Sequence, residues 1–277
     1  MRLHYLEHAP PARGGRPLVV LLHGWPQTSA MWRHVMPRLA ELWPTIAPDL
    51  RGYGRSDKPT AGYDKRTMAA DIRELARQLG HRRVVLVGHD RGARVAHRYA
   101  LDHPGEVDRL ALLDVIPTRE VLRRMDANVA QGYWHWLLHF LPDLPEALIG
   151  DSVERYLQWI FQHWTHRRGA LDDAIVAQYI AAYSRPGALR ASLDDYRATL
   201  GQDVPADDES AALGLRLAMP LLLLWGEEGL VGRFEVEEIW REYATDLHAR
   251  PVPDCGHFLA EEQPELVAEA LLEFLGG

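Results

Sequence analysis

The chain has 277 residues, 47% of them hydrophobic and 25% charged, which is enough for one sizeable core with an insertion. Its net charge of −8 speaks against nucleic acid or an anionic membrane as partner, and Lys58 and Lys65 are the only lysines among 31 basic residues. One cysteine, Cys255, excludes an internal disulfide. Residues 1–8 lack the apolar core of a signal peptide, and the longest apolar run, residues 221–225, is too short to span a bilayer. A cytoplasmic protein with no nucleic-acid or membrane partner is expected; the oligomeric state is left open, a homodimer included.

In chain order, residues 17–22 have the pattern of a buried strand and run into His23-Gly24-Trp25-Pro26. A helix is expected over 31–42 and a strand over 43–47. The glycine-rich loop at 48–57 has neither the lysine nor the spacing of a phosphate cradle. Residues 67–79 carry Met68, Ile72, Leu75 and Leu79 on one helical face, closed by Gly80. The unbroken run Val84-Val85-Leu86-Val87 predicts a strand buried on both faces, followed by Gly88-His89-Asp90-Arg91-Gly92 and a helix-like stretch. Another strand is expected at 107–113, ending at Asp114, and two more near 221–225 and 247–252, with a last helix over 264–275.

Strands alternating with helices predict an α/β fold with a doubly wound, mostly parallel sheet, whose ligands sit beyond the strands' C-terminal ends. Trp25, Asp90 and Asp114 all fall at such ends. Residues 115–213 read differently: helical, rich in tryptophan and tyrosine, interrupted by Pro142, Pro145, Pro186 and Pro205. This division predicts a core of 1–114 and 214–277 and a helical lid of 115–213.

Strand, Gly-x-nucleophile-x-Gly, helix is the elbow of the α/β-hydrolases. The residue at its tip is Asp90, where a serine hydrolase has Ser. A carboxylate is charged at neutral pH and can attack an sp³ carbon directly, leaving an alkyl ester. Read blandly, the same pentapeptide is a polar turn with Asp90 as a helix cap. The chain order of the elbow architecture is nucleophile, acid, His. His257, in Pro253-Asp254-Cys255-Gly256-His257-Phe258 after the last strand, is the candidate base, with Cys255 a buried packing residue. Asp114 is favoured as the acid, with Glu228 in reserve. The backbone N–H groups of Trp25 and Arg91 are the expected oxyanion donors. Arg91 and Arg94, three residues apart on the new helix, share a face and would suit the forked binding of a substrate carboxylate. The bland reading of this pair is two solvated arginines in an arginine-rich chain.

The segments His23-Gly24-Trp25-Pro26-Gln27-Thr28, Asp49-Leu50-Arg51-Gly52-Tyr53-Gly54-Arg55-Ser56, Gly88-His89-Asp90-Arg91-Gly92-Ala93-Arg94 and Gly256-His257-Phe258 resemble the haloacetate (fluoroacetate) dehalogenases of the α/β-hydrolase superfamily. The resemblance covers essentially the whole chain, and Asp-Arg-Gly-x-Arg is its most specific part. It implies hydrolysis of small 2-haloacids, with the halide leaving into a pocket formed by His135, Trp136 and Tyr196. An imidazole, an indole and a phenol are also three donors suited to a developing anion. Trp159 and Trp164 are expected to be core instead. No metal or organic cofactor is implied, and the partner expected is a small haloacid substrate. The rivals are an epoxide hydrolase, which needs acidic O–H donors over the site where Tyr196 is the one clear candidate, and a non-catalytic receptor using the hydrolase pocket.

Overall fold

The computed structural model describes residues 1–8 and 15–276. Among them, seven strands form one sheet in the order β1-β3-β2-β4-β5-β6-β7. The strands are β1 (Tyr5–His8), β2 (Leu18–Leu22), β3 (Thr45–Pro48), β4 (Val84–His89), β5 (Val107–Leu113), β6 (Leu221–Gly226) and β7 (Leu247–Val252). Only β1 is antiparallel to its neighbour, β3; the other pairings are parallel. Every residue of β2 and β4 is buried, the reason these segments read as unbroken apolar runs.

The parallel strands fall within a residue or two of their sequence expectations. Strand β1 was not foreseen: three of its four residues are exposed, so this edge strand carries no apolar alternation to find. The helix expected over 31–42 is instead a 3₁₀ turn, Ser29–Trp32, and a separate short helix, Met36–Ala40. Pro37 lies in the first turn of the second piece, where its missing N–H is harmless; inside one continuous helix it would break the ladder.

Helix α1 (Lys65–Gln78) buries Met68, Ala69, Ile72 and Ala76 and is capped by the Asp64 side chain accepting the Thr67 N–H at 2.8 Å. Helix α2 (Asp90–Asp102) starts directly from β4 and is buried through its first eleven residues. Between β5 and β6 the chain passes through helices that include α3 (Trp134–His139), α4 (Val153–Trp164) and α5 (Ala188–Ala198). These stand over the C-terminal end of β2, where His135, Trp164 and Tyr196 meet the ring of Trp25. Helix α6 (Leu259–Glu262) follows the loop after β7, and α7 (Pro264–Leu275) packs back on the sheet through Val267, Ala268 and Leu271. Among the described residues no helix is long and apolar enough to cross a membrane.

Candidate active site

Asp90 is the first residue of α2 and sits at φ 46°, a left-handed conformation that few residues besides Gly, Asn and Asp adopt. The turn is possible because its neighbours lack side chains. A Cβ on Gly88 would stand 2.6 Å from Cα of Ala93, one on Gly92 2.5 Å from the Leu22 carbonyl oxygen, and one on Gly24 2.6 Å from Cβ of Asp90. The nucleophile candidate is thus wedged between the end of β2 and the start of α2. Its Oδ2 accepts the Trp25 backbone N–H at 2.9 Å, and the positive end of the helix dipole favours its charge.

Two later strands deliver the other members. Asp114, at the tip of β5 with φ 50°, is buried; its Oδ2 lies 2.6 Å from Nδ1 of His257, and its Oδ1 accepts the Gly226 N–H at 3.1 Å. Burial alone would lower the His257 pKa, but the hydrogen bond to Asp114 and the charges of Asp114 and Asp90 outweigh it, so the net direction is upward. Nε2 of His257 has no protein hydrogen-bond partner. Glu228 is exposed and makes no side-chain bond to His257, so the carboxylate that orients the imidazole is Asp114.

The two arginines differ. Arg91 is fully buried, and its Nη2 donates to Oδ1 of Asp195 at 2.6 Å and to the Asp195 carbonyl at 2.7 Å. Asp195 also accepts from Lys65 and, at 2.5 Å, from the Tyr53 hydroxyl. Burial would raise the carboxyl's pKa, yet Arg91 and Lys65 hold it far below the usual range. Nε and Nη1 of Arg91 remain without partners. Arg94 donates only to neutral acceptors, the Ile116 carbonyl at 2.9 Å and the Thr118 hydroxyl at 2.7 Å. Among the described residues no carboxylate forms an ion pair with it.

A cavity of about 520 Å³ is lined by Asp90, Arg94, Asp114, His135, Trp136 and His257, among others. Tyr196 lies against Trp25, with ring centroids 5.9 Å apart, and behind the guanidinium of Arg91, which sits 4.3 Å over its ring. Trp136 lies against Arg94 in the same way, at 4.7 Å. Burial, together with His139, His257, Arg91 and Arg94 nearby, drives the His135 pKa well below its usual value, so this imidazole is neutral and has one N–H to give.

The expectation of core places for Trp159 and Trp164 holds in part: Trp164 is half-buried against the core and also lines the cavity, whereas Trp159 lines the cavity and is 42% exposed. Trp164 meets the rings of His257 at 5.2 Å and His135 at 4.6 Å. The Asp195 and Lys65 cluster around Arg91 was missed altogether. The one available signal was Lys65 itself, one of only two lysines in an arginine-rich chain. Cys255 is buried beside the site, and burial pushes its thiol pKa up, as suits a packing residue.

An acidic residue on a strained strand-to-helix elbow, with a His–Asp pair delivered by later strands, is the anatomy of an α/β-hydrolase. The chain belongs to the alpha/beta hydrolase fold family, whose sequence pattern matches residues 17–264. It is 38% identical to a fluoroacetate dehalogenase of Burkholderia sp, over 95% of this chain and 88% of that protein. It is 37% identical to a soluble epoxide hydrolase of Corynebacterium sp. (strain C12), over 99% of this chain and 93% of that protein. Among solved structures, a protein of Nostoc sp PCC 7120 described as an alpha/beta hydrolase superposes with a TM-score of 0.94 at 41% identity, covering 99% of this chain and 94% of that one. The resemblance to haloacetate dehalogenases is therefore met by a full-length relative, and an epoxide hydrolase stands at nearly equal distance.

Proposed function

We propose that the protein removes halide from small 2-haloacids, fluoroacetate or chloroacetate among them, by hydrolysis. The observation that carries this reading is Arg94: a buried guanidinium without a carboxylate partner among the described residues, lining the same cavity as Asp90. A buried cation with only neutral partners is poorly compensated. An anionic substrate supplies the missing charge and brings its α-carbon to the nucleophile. Arg91 lies buried behind Arg94 on the same helix, held by Asp195, and its unpartnered Nε and Nη1 are further donors for the substrate carboxylate.

In the first step one carboxylate oxygen of Asp90 attacks the α-carbon and halide departs, leaving an alkyl ester. The other oxygen, Oδ2, is already at the Trp25 amide. The halide receives hydrogen bonds from His135, Trp136 and Tyr196. In the second step His257 takes a proton from water, and the hydroxide adds to the Asp90 ester carbonyl. The resulting oxyanion is met by the Trp25 and Arg91 N–H groups. Collapse frees the 2-hydroxyacid and returns Asp90 with one oxygen from water. The helical segment of residues 115–213 acts as the lid that supplies the halide donors and excludes water.

A second reading is epoxide opening by the same nucleophile. Tyr133 lines the cavity and is a second phenol beside the one the sequence suggests, Tyr196, which lies behind Arg91. One substrate panel separates the readings: halide release from fluoroacetate, chloroacetate and 2-chloropropionate against diol formation from small epoxides. Halide release with little diol supports the proposal; diol formation without halide release replaces it; inactivity on both favours a binding role.

A further inference from the structure

His257 lies in the loop between β7 and α6, and one side chain holds that loop on both sides of it. The Glu262 carboxylate is buried, 1% exposed, and accepts the Gly256 N–H at 3.1 Å and the Phe258 N–H at 3.0 Å, the two amides that flank His257. The same carboxylate accepts the N–H groups of His166 and Arg167, both at 2.8 Å, just beyond the end of α4. The His257 N–H itself donates to the Trp164 carbonyl at 3.0 Å. Contact between the two segments is close: a Cβ on Gly256 would meet the Trp164 carbonyl oxygen at 2.6 Å and the His166 nitrogen at 2.7 Å. Among the described residues no cationic side chain forms an ion pair with Glu262. The Arg167 guanidinium donates to its backbone carbonyl instead, at 3.1 Å.

We infer that Glu262 is a positioning residue: its one buried carboxylate clamps the amides flanking His257 to the end of lid helix α4, fixing the base and fastening the lid to the catalytic loop. This rests on the reading of His257 as the general base. Four backbone amides solvate the charge without cancelling it, so it continues to act on the imidazole. The other groups facing His257 are Asp114 from β5, Asp90 from the elbow, His89 from the end of β4 at a ring distance of 4.7 Å, and His135 from α3. Glu228, His163, Arg94 and Arg233 line the same cavity. Of these charges, Asp114, Asp90 and Glu262 favour the imidazolium, and Glu262 is the one with no part in the chemistry. Loss of the clamp therefore falls hardest on the step that needs His257; the first step is touched only indirectly, because the halide donors lie on α3 and α5 rather than on the clamped α4.

The test is Glu262→Gln, which keeps the shape, removes the charge and sets an amide against converging N–H donors. The His257 titration is followed by its C2 proton resonance, assigned with His257→Gln, and chloroacetate turnover by rapid quench. The expected result is a folded protein whose His257 midpoint falls by about half a pH unit or more. The first-turnover halide burst stays within about twofold of wild type while steady-state turnover drops roughly tenfold. A folded variant with the wild-type midpoint and the wild-type ratio of burst to steady state overturns the inference. If Glu262→Gln does not fold, Glu262→Asp takes its place; it keeps the charge but shortens the reach, so slow steady-state turnover after a normal burst is expected, and wild-type turnover overturns the inference. The titration needs no substrate, so a wild-type enzyme that releases no halide sinks the haloacid reading while leaving this one to be judged on the midpoint.

Discussion

The arginines Arg91 and Arg94 are three residues apart on one helix, yet their surroundings assign them different work. Arg94 has no counter-ion among the described residues, so Arg94→Gln should weaken haloacid recognition by about 1.5–3 kcal/mol, or roughly 10–150-fold in kcat/KM, with little change in melting temperature. Arg91 is one partner of a buried pair with Asp195. Arg91→Leu should cost activity and also about 3 kcal/mol of stability, because it leaves that carboxylate with Lys65 alone for charge balance. Denaturant unfolding beside steady-state kinetics checks both; equal stability loss in the two variants would contradict the distinction. Trp136 lines the cavity, and its ring lies under Arg94. Trp136→Phe keeps a ring there and deletes the donor. Fluoride concentrates its charge more than chloride, so fluoroacetate turnover should fall more than chloroacetate turnover, where one preorganised donor is worth on the order of 2.7–4 kcal/mol. Equal losses for the two substrates would deny the indole a selective role. His257 must be neutral to act as base, and Asp114 raises its pKa. Turnover should therefore decline as pH falls through a midpoint above the usual 6.5 for histidine, and Asp114→Ala should damage turnover far more than Glu228→Ala.

At the scale of elements, the elbow is the most demanding piece of backbone. Gly92→Ala would press a methyl group onto the Leu22 and His23 carbonyls, so either β4 and α2 separate from β2 or the protein fails to fold. Soluble yield and thermal melting of this variant test the point, with wild-type stability the contrary result. The same rigidity is why this region was legible in sequence: a strand buried on both faces and a turn that tolerates only glycine leave few choices of residue. The parallel strands and α7 were equally readable. Where local sequence left freedom, reading failed. Three of the four residues of strand β1 are exposed, and Pro37 divides a segment whose apolar spacing suits one helix. The proximity of Asp90, Asp114 and His257 followed from chain order on a known architecture. The clasp of Asp195 on Arg91 joins positions 104 residues apart, and no local pattern marks which of the 39 acidic residues does so. Trp159 shows the limit of aromatic content as a guide, since a cavity wall and a core draw on the same residues, and Trp164 belongs to both.

The molecule as a whole buries several histidines in neutral form. Burial drives His89, His97 and His139 down to about 3 from an ordinary 6.5. A depressed folded-state pKa means the unfolded chain binds the proton first, so the stability is complete above pH 6.5 and is lost as pH falls toward the folded values. Each such histidine costs up to about 1.4 kcal/mol per pH unit in that window. Melting temperature should thus fall between pH 7 and pH 5, where most carboxylates are still ionised; a flat profile there would contradict the neutral burial of these rings. The proposed reaction stands on Asp90 becoming an ester. Its most direct test is a single turnover of chloroacetate by excess enzyme in heavy-oxygen water, with mass analysis of the Asp90 peptide and of the first hydroxyacid released. The prediction is label in the Asp90 carboxylate and none in that first product; label in the first product, with the Asp90 peptide unlabelled, would mean that water attacks the substrate directly.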